Sequence, residues 1–422
     1  SYFTSDPYFN GFQAGLGQAS TYHVAPYEQS ANVPGQWDMH AIKLEHAFEY
    51  SQSNNGSSVS NVNALGSANI KIAIIDTGED PTHPELTSKI AAQKCFITNT
   101  TAGTQSTSDF APDPQGHGSD VSGIAAADSG NAFGFVGAGG KAVIYAYRVF
   151  PEPDDTCANE TGQDAQCSAD SFDIASAIND AVAKHVNVIS MSLGGNACSN
   201  GQDPDSVEGH AVADAIAANI VVVAASGNDG TASVDAPSCD PGVIAVGASA
   251  LGDGQQTGSN SGVGSSTSPV EYVPSYSNFG NPAAAVHSSS AWGIVAPGGD
   301  PYSSMNDSDT LHWIANVWTS EPFDSKFSAN ESSGCTDDYP NVNGTNPPVD
   351  CQVLIAGTSM ATPHVAGAVA LILAVNSTYQ SPTKMKQLLC STADDISDPN
   401  EGCGRLNVYR AMATALNDPQ LP

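Results

Sequence analysis

Basic residues are scarce in this chain: 12 Lys and Arg stand against 44 Asp and Glu in 422 residues, a formal net charge of −32. A polyanion of this kind repels nucleic acid and anionic membrane, so neither is expected as a partner. Charged residues make up only 13 % of the chain, so the imbalance reflects missing cations as much as added acids. That balance suits an acidic medium, where protonated carboxylates leave little positive repulsion; a salt-adapted surface would carry its acids more densely. Among the nine cysteines there is no C-x-x-C pair, which removes a zinc ribbon or a thioredoxin-like redox site from consideration. Long apolar runs are also missing. The longest, around 366–375, is too short to cross a bilayer. No signal peptide opens the sequence, and Ser1 in place of methionine is what a processed chain would show.

What is present is glycine (40), proline (26) and enough apolar residues (40 %) for a sizeable core. The length fits one large domain with insertions, or two domains. Nine cysteines fit disulfides and an oxidising, extracellular setting. Local spacing suggests Cys157–Cys167, Cys198–Cys239, Cys335–Cys351 and Cys390–Cys403, leaving Cys95 over. Asn-x-Ser/Thr sequons occur at Asn99, Asn159, Asn330, Asn343 and Asn376, among others.

Residues 1–68 read as a polar, irregular segment packed on the rest, with a helix-like stretch near 40–50. From residue 69 onward apolar strands alternate with helices. Strands are expected at 70–75, 141–150, 186–193, 220–225, 243–248 and 353–355. Helices are expected at 117–127, 171–184 and 207–218, from after 357–360 to about 375, and at 382–391. Apolar strands without polar alternation point to an α/β fold: a mostly parallel central sheet buried on both faces by helices. In such sheets, sites form beyond the carboxyl ends of strands, where Asp76, Ser192 and Asn228 fall. Stretches 151–169, 252–274 and 299–350 read as loop insertions rich in Gly, Ser, Asn, Asp and Pro.

Three segments carry chemistry. Gly357-Thr358-Ser359-Met360-Ala361-Thr362-Pro363-His364 joins an apolar strand to an apolar helix, placing Ser359 at a helix N-terminus that favours developing negative charge. An isolated serine there would be a helix cap. In Gly116-His117-Gly118-Ser119 the glycines leave room for a substrate, and imidazole has the pKa to take and return a serine proton. Taken alone, His117 would be a surface-loop residue. In Ile74-Ile75-Asp76-Thr77-Gly78 an acid ends a buried strand, where it can hold an imidazole in one tautomer or simply shape a turn.

Together these segments resemble the subtilisin-like serine proteases, in that family's chain order Asp, His, Ser. Ser192-Leu193-Gly194-Gly195, Ala225-Ser226-Gly227-Asn228 and Tyr276-Ser277-Asn278-Phe279-Gly280 extend the resemblance over about 70–250 and 350–415. It implies a subtilisin-like three-layer fold, a peptidase domain spanning 69–422, and a secreted, monomeric serine endopeptidase acting on proteins or peptides. Asp76 would orient, His117 would be general acid and base, Ser359 would attack the scissile carbonyl, and Asn228 would bind the oxyanion. Ser192, Leu193, Gly194 and Gly195 would pair with substrate backbone, with Ala225, Ser226 and Gly227 forming another pocket wall. Asp235 falls near the floor of the S1 pocket, where it would favour Lys or Arg; otherwise it is a solvated loop carboxylate. Calcium is the implied cofactor, held by Glu85, the Asn131 side chain and the Phe133 and Phe135 carbonyls.

Two other readings compete. Asp76-Thr77-Gly78 and Asp128-Ser129-Gly130 resemble the paired motifs of an aspartic protease, yet they lie too close for a two-lobed enzyme. A catalytically weak or inactive binding module would have lost one of the four catalytic positions, and all four are present.

Overall fold

The computed structural model describes residues 36–52, 59–99, 104–130, 135–151, 168–195, 206–252, 270–280, 286–300, 313–317 and 352–419, with single residues and two-residue strands outside them. Its strands are β1 (Tyr22–His23), β2 (Ser30–Ala31), β3 (Lys71–Asp76), β4 (Ile90–Asn99), β5 (Thr104–Ser108), β6 (Val143–Arg148), β7 (Val188–Met191), β8 (Val221–Ala225), β9 (Ile244–Gly252), β10 (Gln256–Thr257), β11 (Asn260–Ser261), β12 (Val270–Tyr272), β13 (Gly293–Pro297), β14 (Ile314–Val317) and β15 (Gln352–Ile355). Its helices are α1 (Trp37–Ala41), α2 (Leu44–Glu49), α3 (His117–Ala126), α4 (Ser171–Ala183), α5 (Ser206–Ala217), α6 (Thr358–Val375), α7 (Pro382–Thr392) and α8 (Val408–Ala415).

Nine strands form one sheet in the order β12-β9-β8-β7-β3-β6-β4-β5, with β13 also paired to β9. The interior pairings are parallel. Only β5 and β12 run antiparallel, at the margins. Strand β3 sits between β6 and β7, so the chain crosses over it and opens a crevice at the carboxyl ends.

The strands lack polar alternation because both of their faces are covered. Ile72 and Ile74 of β3 enter one hydrophobic core, and Ala73 and Ile75 enter the other. Val221 and Val223 of β8 likewise oppose Val222 and Ala224. The first core holds α3 and α6; the second holds α4 and α5. Helix α6 has the length and apolarity to cross a membrane, but 83 % of it is buried inside the protein, as befits a core helix. Glycine sets its depth. A β-carbon on Gly367 would lie 2.6 Å from the Gly139 nitrogen and 2.8 Å from the Ala125 carbonyl, so α6 and the end of α3 approach at backbone distance.

The helix-like stretch near 40–50 is two short helices embedded in the first core. Met39, Ile42, Leu44 and Ala47 are fully buried. The Gln36 side chain exchanges hydrogen bonds with Val136 N and O, at 2.7 and 2.8 Å. The disulfides Cys198–Cys239 and Cys390–Cys403 are present. The expected pairs Cys157–Cys167 and Cys335–Cys351 lie outside the described residues, as does most of each loop insertion.

Candidate active site

Asp76 closes β3, and His117 opens α3. His117 Nδ1 lies 2.7 Å from Asp76 Oδ1, which also accepts from Thr77 N at 2.7 Å. The carboxylate is 1 % exposed and the imidazole 27 %, so the acid is sheltered while the ring still reaches solvent. An Nδ1–H directed at a carboxylate leaves Nε2 with its lone pair outward, the tautomer a general base needs.

The glycines around His117 do more than leave room. Gly116 has φ of 93°, a left-handed conformation that starts the helix sharply. A β-carbon on Gly118 would sit 2.1 Å from the Gly78 carbonyl, so only glycine allows the loop after β3 to touch α3. A side-chain clamp, poorly legible in sequence, fixes this junction. Buried Asp113 accepts from Thr77 Oγ1 (2.8 Å), Gly116 N (2.7 Å), Gln115 N (3.0 Å), and Ser119 N and Oγ (both 2.8 Å). Thr77 Oγ1 in turn accepts from Gly118 N at 2.8 Å.

Ser359 lies in the first turn of α6 and is partly exposed. Pro363, inside that helix, has no N–H to offer the Ser359 carbonyl. Ser192 Oγ donates to that carbonyl instead, at 2.7 Å, while Ser359 Oγ donates to the Ser192 carbonyl at 3.1 Å. The nucleophile candidate is thereby tied to the end of β7.

Asn228 stands just beyond β8, exposed, with its side-chain oxygen anchored to the same helix. Oδ1 accepts from Thr358 N and Oγ1, both at 2.9 Å, so these bonds do not engage the Nδ2 donor. A β-carbon on Gly357 would lie 3.7 Å from that Nδ2, at ordinary van der Waals contact, so Gly357 borders the donor. The Tyr276–Gly280 segment explains itself here. Asn278 Oδ1 accepts from Asp229 N (2.9 Å) and Thr231 N (3.0 Å), and Ser226 Oγ donates to Asn278 O (2.8 Å), locking the turn that carries Asn228.

Ser192 to Gly195 and Ala225 to Gly227 lie side by side, with Asp235 between them. A β-carbon on Gly194 would be 3.4 Å from Asp235 Cβ, and one on Gly227 would be 2.2 Å from Asp235 Oδ2. Asp235 is 6 % exposed, which removes the solvated-loop alternative. Burial, helped by Asp229, raises its pKa to about 6.

Acids crowd the junction. Burial disfavours the charged His117 ring, but the charge and hydrogen bond of Asp76 together with the charges of Asp120 and Asp113 outweigh it, so His117 rises to about 9. Burial drives Asp120 and Glu79 well above the usual carboxylate range. The aspartic-dyad alternative fails on geometry: Asp128 follows the far end of α3, about 15 Å along the helix from His117. Of the calcium ligand set, Glu85 and Phe135 are buried, and Asn131 and Phe133 lie outside the described residues. Among the described residues no group of three or more His, Cys, Asp or Glu side chains could hold a metal. Lys89, 5 % exposed, lies in the field of Glu85 and Asp128 and supplies a positive charge there.

Comparison with known proteins bears on the family and the fold. The subtilase family model matches residues 67–409. A thermophilic serine proteinase of Bacillus sp. (strain AK1) is 28 % identical over 351 residues, covering 82 % of this chain and 62 % of the relative's length. Thermitase of Thermoactinomyces vulgaris is 28 % identical over 345 residues, covering 81 % of this chain and 88 % of its own. Among solved structures, a protease from Pseudoalteromonas arctica superposes with a TM-score of 0.61 at 24 % identity, covering 94 % of this chain and all of that one, which speaks for the fold. On the match across most of its length, the chain belongs to the subtilase family.

Proposed function

We propose that this protein is a secreted serine endopeptidase that hydrolyses peptide bonds through an acyl-enzyme on Ser359. The observation that carries this reading is the 2.7 Å contact between His117 Nδ1 and the buried Asp76 carboxylate, with Asn228 bonded to the helix turn that carries Ser359. His117 Nε2 takes the Ser359 proton as Oγ attacks the carbonyl carbon, and later returns it to the leaving amine. Asp76 holds the ring and stabilises its cation. The carbonyl oxygen becomes an oxyanion that accepts from Asn228 Nδ2 and Ser359 N, the latter at the positive end of α6. Water then repeats the attack with His117 as base, releasing the acid. The test is labelling by a serine-directed phosphonate alongside casein hydrolysis. Ser359→Ala should lose both. A Ser359→Ala protein that still cleaves casein, or a pepstatin-sensitive wild type, would sink the assignment.

The placement of Asp235 supports a finer statement about substrate. An acid held between the Ser192–Gly195 and Ala225–Gly227 segments attracts a Lys or Arg side chain entering between them. Because Asp235 titrates near 6, that preference should be weak at pH 5 and strong at pH 8. Peptide-library profiling of wild type and Asp235→Ala checks this; an unchanged profile would remove Asp235 from the pocket. Calcium, when bound, would add only structural support, held by Glu85 with Asn131, Phe133 and Phe135. A melting temperature unmoved by chelator would rule that out.

A further inference from the structure

The acids around His117 do not all serve the hydrogen-bonded junction. Asp76 and Asp113 are engaged by named donors. Asp120 is not. It lies three residues after His117 on α3, where side chains share a face at roughly 5–6 Å between β-carbons. It is fully buried, and neither carboxyl oxygen has a hydrogen-bond partner. An ionised carboxylate in that position lacks both water and donors, so it takes up a proton rather than remain charged.

We propose that Asp120 is a positioning residue of the catalytic pair: a buried carboxyl group that holds a proton at low pH and, on releasing it, keeps His117 charged, so that an acid on the same helix sets the pH range in which His117 acts as a base. This deepens, and rests on, the peptidase reading above.

The groups facing Asp120 make its charge matter. From its own helix comes His117, from the end of β3 Asp76, from the loop before α3 Asp113, and from α1 Asp38; their fields all act on its carboxyl group. Across the interface with α6, His364 is fully buried. Its Nδ1 lies 2.8 Å from the Met360 carbonyl and its Nε2 lies 2.9 Å from Asp38 Oδ2. A carbonyl only accepts, so Nδ1 carries a proton, and the Nε2–Asp38 contact holds one more proton between two buried groups. Of the other elements that contact α3, β14 carries the uncharged Asn316, packed on Gly123, and β6 carries Arg148, which donates to the Pro112 and Phe150 carbonyls. Neither Asp120 oxygen has a hydrogen-bond partner among these groups, and the charge that acts to lower its pKa is that of His117. Burial raises Asp120 and the His117 cation lowers it, while Asp120 in turn raises His117. Two groups related in this way titrate in two shared steps rather than as independent sites.

No local pattern announces this. In the sequence Asp120 reads as an ordinary acid in the first turn of a helix, where the helix dipole favours a negative charge. Burial without donors reverses that expectation.

The experiment compares kcat/KM against pH for wild type and Asp120→Asn, and titrates the His117 ring by NMR in Ser359→Ala and Ser359→Ala/Asp120→Asn, where self-digestion cannot interfere. With the Asp120 charge removed, the acid limb of kcat/KM and the His117 titration should both move to lower pH by about one unit, whatever the height of the plateau. A loss of activity with neither curve displaced would reduce Asp120 to a packing residue and overturn the proposal. The ring titration does not require catalysis, so an inactive wild type would sink the peptidase reading while leaving this one decided by NMR. Should Asp120→Asn fail to fold, aspartate labelled with 13C at Cγ in Ser359→Ala gives the answer without it. One carboxyl carbon should show a full protonation step over the interval in which His117 titrates. A single-step His117 titration with every aspartate already ionised would refute the proposal.

Discussion

Replacing Asn228 separates a catalytic donor from a turn residue. Its Oδ1 accepts two bonds from Thr358, and in the proposed mechanism its Nδ2 meets the substrate oxyanion. Asn228→Asp keeps both acceptor bonds and the shape of the turn but turns the donor into a carboxylate oxygen. Removing one oxyanion donor usually costs about 10²–10³ in kcat, or about 3–4 kcal/mol of barrier, a range set partly by a subtilisin. Adding negative charge beside the developing oxyanion should bring Asn228→Asp to at least the upper end. Thr358→Val is the milder companion. It removes the Oγ1 bond and leaves the backbone one, a net loss of about 1 kcal/mol and thus about fivefold. The assay is steady-state hydrolysis of a chromogenic peptide ester and amide. The loss should fall in kcat, with KM little changed, because the donor meets full charge only in the transition state. If Asn228→Asp keeps kcat within tenfold of wild type, or if its loss lies in KM, Asn228 is a turn residue and the oxyanion assignment falls.

Other consequences are as direct. Gly118→Ala forces a β-carbon to within 2.1 Å of the Gly78 carbonyl, so it should destabilise the fold by about 1–3 kcal/mol in urea and lower activity disproportionately by pushing His117 off Asp76; a variant with wild-type stability would contradict the close approach. Replacing Cys390 and Cys403 by serine opens a link between buried ends 13 residues apart, with an expected loss of about 3 kcal/mol measured by denaturant unfolding. Stability should fall as pH rises from about 4 to 7. Burial raises Asp235 to about 6 and Glu401 to about 7, so the folded state binds more protons than the unfolded one; their contribution is intact below the unfolded carboxylate range and is lost as pH climbs through the folded values. Thermal melts of Asp235→Asn and Glu401→Gln should show a shallower decline than wild type, and parallel curves would argue against this origin.

The sequence alone determined the layered architecture and the family. Apolar strands such as 220–225 have no polar alternation because water reaches neither face, so their pattern announces a doubly covered sheet. The Ser359 octet, Gly116–Ser119 and Asp76–Gly78 were legible because local backbone demands and chemistry coincide within a few residues. Strands β4 and β13 were not, since one mixes polar and apolar residues and the other is a five-residue piece ending in proline. Helices α1 and α2 were blurred into one stretch because their burial depends on α8 and on residue 136, far along the chain. Only tertiary structure decided which polar residues matter around the site. Asp113, Thr77 and Asn278 act by receiving or giving hydrogen bonds across 36 to 52 positions, a relation that no local pattern encodes. Asp120 looks like a solvated helix acid until packing takes away its water and its donors. Local sequence fixes what a side chain can do; burial and distant partners fix in which protonation state it does it.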